Sequence, residues 1–211
     1  MIALINTQAS NQSSVLNAIR RIGVEVSVTD NAADVERASA ILLPGVGAFE
    51  QGMAVLRANS LVEPIRRRAL EGTPLMGICL GMQLLAQSSE EHGLHQGLGL
   101  LRSRVLRLRP TDPGFRVPNI GWCEVHPAKA GILFPDHSAS PSFYFIHSYF
   151  MQCDDTQDVA ATIEYSGQTV AVGIERGNIF GVQFHPEKSQ DDGFALLNHF
   201  FEHLRVRGRI S

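Results

Sequence analysis

Residues 75–87 read Leu75-Met76-Gly77-Ile78-Cys79-Leu80-Gly81-Met82-Gln83-Leu84-Leu85-Ala86-Gln87. A short apolar run (75–78) predicts a buried strand, and the pattern from 82 to 87 predicts a helix. Two glycines, each two positions from Cys79, allow a sharp reversal between them. A strand turning straight into a helix is one half of a βαβ unit, and the flanking sequence repeats the alternation. Before it, residues 2–5, 25–28 and 40–43 read as strands, and 13–22 and 62–70 as helices ending near Gly23 and Gly72. After it, strands are expected at 105–108, 143–151, 159–165, 170–174 and 179–184, and a closing helix at 192–204. The expected fold is one α/β domain over residues 1–211, a mostly parallel central sheet flanked by helices with an additional antiparallel portion.

Composition limits what such a fold does. The 211 residues are 44% hydrophobic and 18% charged with a net charge of −3, which suits an ordinary globular chain without a basic footprint for nucleic acid. Arginines 66–68 and the set 102, 104, 107 and 109 read as solvated faces with aliphatic stems on apolar surface. The first residues lack a signal-peptide pattern and no apolar run reaches bilayer length, so neither secretion nor a membrane is expected. Cys79, Cys123 and Cys153 are too few and too scattered for a disulfide framework, which fits a cytoplasmic chain with free thiols. His92 and His95 are spaced for one helical face but lack a third ligand, so no metal is expected.

The corner at Cys79 is the cysteine version of the G-x-S-x-G nucleophile elbow. It exposes the middle side chain above the sheet edge at a helix N-terminus, where the thiolate is favoured. The Leu80 N–H would point towards the oxygen of a tetrahedral intermediate. Alone, this pattern fits an inert buried cysteine as well as a nucleophile.

Residues 180–189, Phe180-Gly181-Val182-Gln183-Phe184-His185-Pro186-Glu187-Lys188-Ser189, supply the base that a thiol requires. Pro186 pushes His185 towards extended backbone. In an extended segment Glu187 lies on the same side as His185, placed to fix its tautomer. Two distant segments thus agree on a Cys79–His185–Glu187 arrangement. Otherwise His185 would merely end a strand and Glu187 sit on the surface.

GICLGMQLL (residues 77–85) with FGVQFHPEKS (180–189) closely resembles the class I glutamine amidotransferases, whose fold is flavodoxin-like. PGVGAF (44–49) and YFIHSY (144–149) look like the glutaminase-subunit family of imidazole glycerol phosphate synthase. The resemblance spans the chain. It implies Cys79 as nucleophile, His185 as base and Glu187 as its orienter, with an oxyanion hole from Leu80 N–H and Val46 or Gly47 N–H. It also implies glutamine binding by Gln83, Glu91 and the segment His147-Ser148-Tyr149. Gln83, one helical turn beyond Cys79, falls on the same side of the helix.

The implied reaction is acyl transfer from glutamine through a thioester, without metal or organic cofactor. Its ammonia would pass to a second subunit, a (βα)8 barrel in this family, in a heterodimer serving histidine biosynthesis.

Two stretches depart from the family. The loop after the first strand usually reads Asp-Tyr-Gly-x-Gly-Asn and is here Asn6-Thr7-Gln8-Ala9-Ser10-Asn11. A stretch typically Met-Gly-Trp-Asn is here Ile120-Gly121-Trp122-Cys123. In the family both lie on the side meeting the synthase, which makes Asn11 and Trp122 candidate interface residues, together with Pro118 near Trp122 and Lys188 just after the triad. Trp122 also reads as a core aromatic beside Pro118, and Lys188 as a solvated cation. The altered face leaves open a relative that supplies ammonia to another synthase, such as one for surface-polysaccharide sugars.

Overall fold

The computed structural model describes residues 1–7, 12–136 and 138–210. In chain order the first half contains β1 (Ile2–Ile5), α1 (Gln12–Arg21), β2 (Val26–Thr29), α2 (Ala32–Arg37), β3 (Ala40–Gly45), α3 (Phe49–Ala58), α4 (Val62–Leu70), β4 (Leu75–Cys79) and α5 (Leu80–Leu84). Short strands β5 (Ser88–Ser89) and β6 (His95–Gln96) lead to β7 (Ser103–Arg107), β8 (Asn119–Glu124) and β9 (His126–Pro127). Then follow β10 (Ser142–His147), β11 (Tyr149–Cys153), β12 (Val159–Tyr165), β13 (Gln168–Arg176), β14 (Ile179–Val182) and α6 (Gln190–Val206).

Eight strands form the central sheet in the order β2-β1-β3-β4-β14-β13-β12-β9. β2, β1, β3, β4 and β14 are parallel, in the order 2-1-3-4-5 of flavodoxin-like sheets. The remaining three strands are antiparallel. Alternation along β1 shows how helices cover both faces: Ile2 and Leu4 pack with Val15 and Ile19 of α1 and with Leu196 and Phe200 of α6. Ala3 and Ile5 enter the opposite cluster with Phe49, Leu56 and Ile65 of α3 and α4. Both faces are buried, so the parallel strands read as continuous apolar runs.

Two smaller sheets complete the fold: the β10–β8 ribbon, and β11-β7-β5-β6. Residues 143–151, read from sequence as one strand, are divided between them. Residues up to His147 pair with β8 and those from Tyr149 with β7. The apolar run itself carries no break signal; only the pairing partners divide it at Ser148. The helix expected at 82–87 is the single turn Leu80–Leu84, because the chain leaves it to pair β5 with β7.

His92 and His95 do not share a helix. His92 sits in a turn at φ 56, and His95 lies in β6. The arginine run at 66–68 is not simply solvated either. Arg66 donates to the Leu98 carbonyl, Arg67 pairs with Glu36, and Arg68 donates to the Ala38 carbonyl at 3.0 Å.

Candidate active site

Cys79 ends β4 and begins the turn into α5 at φ 55, ψ −113, a backbone conformation rare for a residue with a side chain. The neighbouring glycines permit close approach rather than positive φ. A Cβ on Gly81 would stand 1.6 Å from the Leu43 carbonyl oxygen, and one on Gly77 2.6 Å from that of Gly81. The elbow is therefore held by the sheet beneath it. Gly45 is opposite Cys79 in the β3–β4 register, so Val46 and Gly47 leave the sheet at the level of the sulfur. Gly47 adopts φ 100. The N–H of Leu80 heads the first turn of α5, where helical amides lack an intrahelical partner. α5 has only five residues, so its electrostatic help resides in these first amides rather than in a long dipole.

β14 runs parallel beside β4 and delivers His185 to the same end of the sheet. His185 is extended (φ −102, ψ 92), as a residue preceding proline should be. Its Nδ1 lies 2.8 Å from Glu187 Oε1, with both side chains fully buried. Glu187 reaches it through a 3-10 turn, Pro186–Lys188, not through strand alternation. With Nδ1 engaged, Nε2 is the nitrogen left for Cys79. Burial alone would push the imidazole down; hydrogen bonds to Cys79 and Glu187, and their charges, outweigh it and raise His185 to about 9. Ser189 fixes the turn by donating to the His185 carbonyl (2.6 Å) and accepting from Tyr144 N (3.0 Å).

Gln83 is buried near the nucleophile, and its Nε2 donates to the Tyr149 carbonyl (3.0 Å) and to Gln183 Oε1 (2.9 Å). His147 Nδ1 lies 2.9 Å from the same carbonyl, while its Nε2 is 3.1 Å from Asn119 Nδ2. Burial lowers His147 to about 4, the Tyr149 carbonyl works the other way, and the nearby His185 charge lowers it further. It is thus a neutral donor through Nδ1. The Ser148 carbonyl accepts from Leu108 N at 2.9 Å. Glu91 reaches across the chain to accept from Phe49 N at 2.7 Å. That contact caps α3, whose own N-cap residue, Ala48, offers no side chain for the purpose.

Sequence reasoning missed Gln183 and Asn119. Gln183 was available to the alternation rule, two positions before His185; Asn119 carried no sequence signal. Cys123 and Cys153 are held protonated, chiefly by burial, which pushes Cys153 up to about 12 with help from three nearby aspartates. Among the described residues no group of acidic, histidine and cysteine side chains could hold a metal ion, and no helix is long and apolar enough to cross a membrane.

Beside the site, the β8–β10 ribbon presents an apolar outer face. Ile120 and Trp122 are 58% and 48% exposed, and Ile146 is exposed with them. Trp122 is not a core aromatic: it packs edge-on against Tyr144, its cross-strand partner, and Lys188 Nζ lies 5.9 Å from the Tyr144 ring centre. Pro118, also exposed, precedes this strand. Asn11 lies outside the described residues.

A nucleophile elbow, a buried histidine–carboxylate pair and the turn amides at one sheet end can carry acyl transfer through a cysteine. The family model of class-I glutamine amidotransferases matches residues 3–204, and the chain belongs to that family, a glutamine-hydrolysing enzyme. Among individual relatives it is 45% identical over 210 residues to the imidazole glycerol phosphate synthase subunit HisH of Moorella thermoacetica, covering 100% of this chain and 98% of that protein. It is 43% identical to the corresponding subunit HisH 2 of Nitrobacter winogradskyi, with 95% and 97% covered. A crystal structure of a glutamine amidotransferase superposes with a TM-score of 0.74 at 20% identity, covering 99% of this chain and 100% of the other. PurLQS from Thermotoga maritima gives 0.72 at 17%, with 96% and 98% covered. At these identities the two structures speak for the fold alone.

Proposed function

We propose that this chain, a single domain, is the glutaminase subunit of imidazole glycerol phosphate synthase. It releases ammonia from glutamine and delivers it to a cyclase subunit in histidine biosynthesis. The observation that carries the reading is the Cys79–His185–Glu187 constellation standing beside an exposed apolar ribbon, in a chain similar end to end to HisH subunits.

In the proposed reaction the Cys79 sulfur attacks the glutamine carboxamide carbon, and the sulfur's proton rests on His185. The oxygen of the tetrahedral intermediate takes hydrogen bonds from Leu80 N–H and from Val46 or Gly47 N–H. Collapse breaks the C–N bond as His185 returns its proton to the departing ammonia. Water, deprotonated by His185, then cleaves the glutamyl thioester and restores the sulfur. Glu187 holds the imidazole tautomer and balances the imidazolium. Gln83, Glu91 and the segment from His147 to Tyr149 would bind the amino-acid end of glutamine.

Ammonia is lost to protonation and solvent unless its acceptor docks over the site. The β8–β10 ribbon suits that docking: large exposed apolar side chains in one patch mark an interaction surface, and tryptophan is a favoured anchor. Pro118, Trp122, Lys188 and Asn11 would meet the (βα)8 barrel of the cyclase in a cytoplasmic heterodimer. The ribbon is joined to the site, since His185 N donates to the Tyr144 carbonyl at 3.0 Å.

Glutamate release from glutamine, measured with the purified chain alone and with the cyclase subunit of the histidine pathway, tests this, with Cys79→Ala as control. Strong stimulation by the cyclase, abolished in the variant, is expected. Activity in the free chain that the cyclase neither binds nor alters would instead favour a different ammonia acceptor.

A further inference from the structure

We propose that Gln183 is a second catalytic group at the nucleophile, its carboxamide N–H holding the Cys79 sulfur while His185 exchanges the proton. The assignment deepens the glutaminase reading above and rests on it for its role in turnover.

The backbone puts Gln183 there. Gln183 N donates to the Val172 carbonyl at 2.9 Å, extending the β13–β14 pairing one residue past β14. Alternation in the extended segment then sends Gln183 and His185 to one side. Phe184, between them, goes to the other and stacks on Phe143 with ring centres 3.9 Å apart. Gln183 is 0% exposed. A carboxamide buried so fully is costly unless its hydrogen bonds are made.

Its neighbours dictate which end of the amide faces the sulfur. The Tyr149 carbonyl can only accept, so the group at 3.0 Å from it must be the Gln83 NH2. That same nitrogen is 2.9 Å from the far amide of Gln183, which must therefore present its oxygen. The Gln183 NH2 is left 3.8 Å from Cys79 Sγ, within hydrogen-bond reach of sulfur. Reversed, Gln183 would set two NH2 groups against each other and aim its oxygen at a thiolate. The opposite end of the network is equally fixed, because His147 Nδ1, facing the same carbonyl, must carry the proton.

The chemistry calls for such a group. The sulfur is anionic before attack and again when the thioester is hydrolysed. A neutral amide stabilises both anionic states without competing for the proton that His185 must move. A hydrogen bond to a charged group is worth about a ten- to hundredfold change in an equilibrium.

The test is the pH profile of iodoacetamide alkylation at Cys79, followed by mass spectrometry in wild type and in Gln183→Met, a substitution of similar length that lacks the donor. The profile of a folded Gln183→Met chain is expected to move to higher pH by about one unit, with kcat for glutamine falling about tenfold or more and KM changing less. A purely structural role would lower the melting temperature and leave the alkylation profile in place, and that result overturns the assignment. Should Gln183→Met not fold, Gln83→Met releases the Gln183 oxygen and is expected to shift the profile in the same direction by less. An unmoved profile there also overturns it. Alkylation needs neither glutamine nor a partner. A shifted profile in a chain that hydrolyses no glutamine even with the cyclase subunit present would reject the proposed function and leave the contact at the sulfur standing.

Discussion

His185 Nδ1 and Glu187 Oε1 stand 2.8 Å apart with both side chains sealed from solvent. A buried carboxylate against a buried imidazole makes the imidazolium the favoured form and leaves Nε2 to serve the sulfur. The pair reports its own state through pH.

His185 is raised to about 9, so its proton is present below that pH and lost above it. The alkaline limb of kcat/KM for glutamine, measured with the partner subunit, is expected to fall through about 9. Glu187→Gln removes one of the groups that raise the value, so the limb should move towards neutral pH. Because the neutral amide also balances the imidazolium poorly, kcat should drop on the order of a hundredfold or more. An unmoved limb would contradict the pairing.

His147 carries the opposite sign. Its folded value of about 4 lies below its ordinary 6.5, first because of burial. Between those values the unfolded chain binds a proton that the folded chain refuses, so stability is lost as pH falls from about 6.5 and levels off below about 4. His147→Gln should therefore lose less stability than wild type between pH 7 and 4, by urea unfolding. Equal pH slopes would count against it.

Glu91 caps α3 through Phe49 N at 2.7 Å, and this contact is separate from any role towards glutamine. Glu91→Ala is expected to cost about 1 kcal/mol, lowering Tm by roughly 2–4 °C. If the carboxylate also meets the substrate ammonium, KM for glutamine rises as well. A raised KM at unchanged Tm would show that the cap contributes nothing.

Trp122 is half exposed on the ribbon, edge-on to Tyr144. Trp122→Ala is expected to weaken binding of the cyclase by about 2 kcal/mol, close to thirtyfold in Kd, with little change in the free chain's Tm. Titration calorimetry checks the first and thermal melting the second. Unchanged affinity would move the docking surface elsewhere.

How far these features were legible varied with how local their causes are. Residues 62–70 and 159–165 form the helix and the strand that their periodicity indicates, with the same bounds. α3 escaped notice because its N-terminus carries alanine where a capping residue would announce a helix, and the cap comes from Glu91, far along the chain. β8 escaped because Gly121 interrupts it and its apolar side chains face outward, against the usual strand pattern. At the elbow, the glycines relieve the steric clash that a sharp reversal implies, and the structure adds where that clash would fall. The clash is between Gly81 and the Leu43 carbonyl on a neighbouring strand, while Cys79 itself takes the positive φ.

The sequence by itself determined the alternating α/β order, the strand–corner–helix at Cys79 and the partnership of Cys79 with His185 and Glu187. Each follows from local sterics or from what one side chain requires of another. Only the tertiary structure decided that residues 143–151 split between two sheets, that Gln183 turns its amide nitrogen to the sulfur, and that Glu91 closes α3. These depend on which strands become neighbours and on hydrogen bonds between residues as many as 104 positions apart. A buried polar group takes whatever partner folding brings to it, and no local pattern encodes that partner.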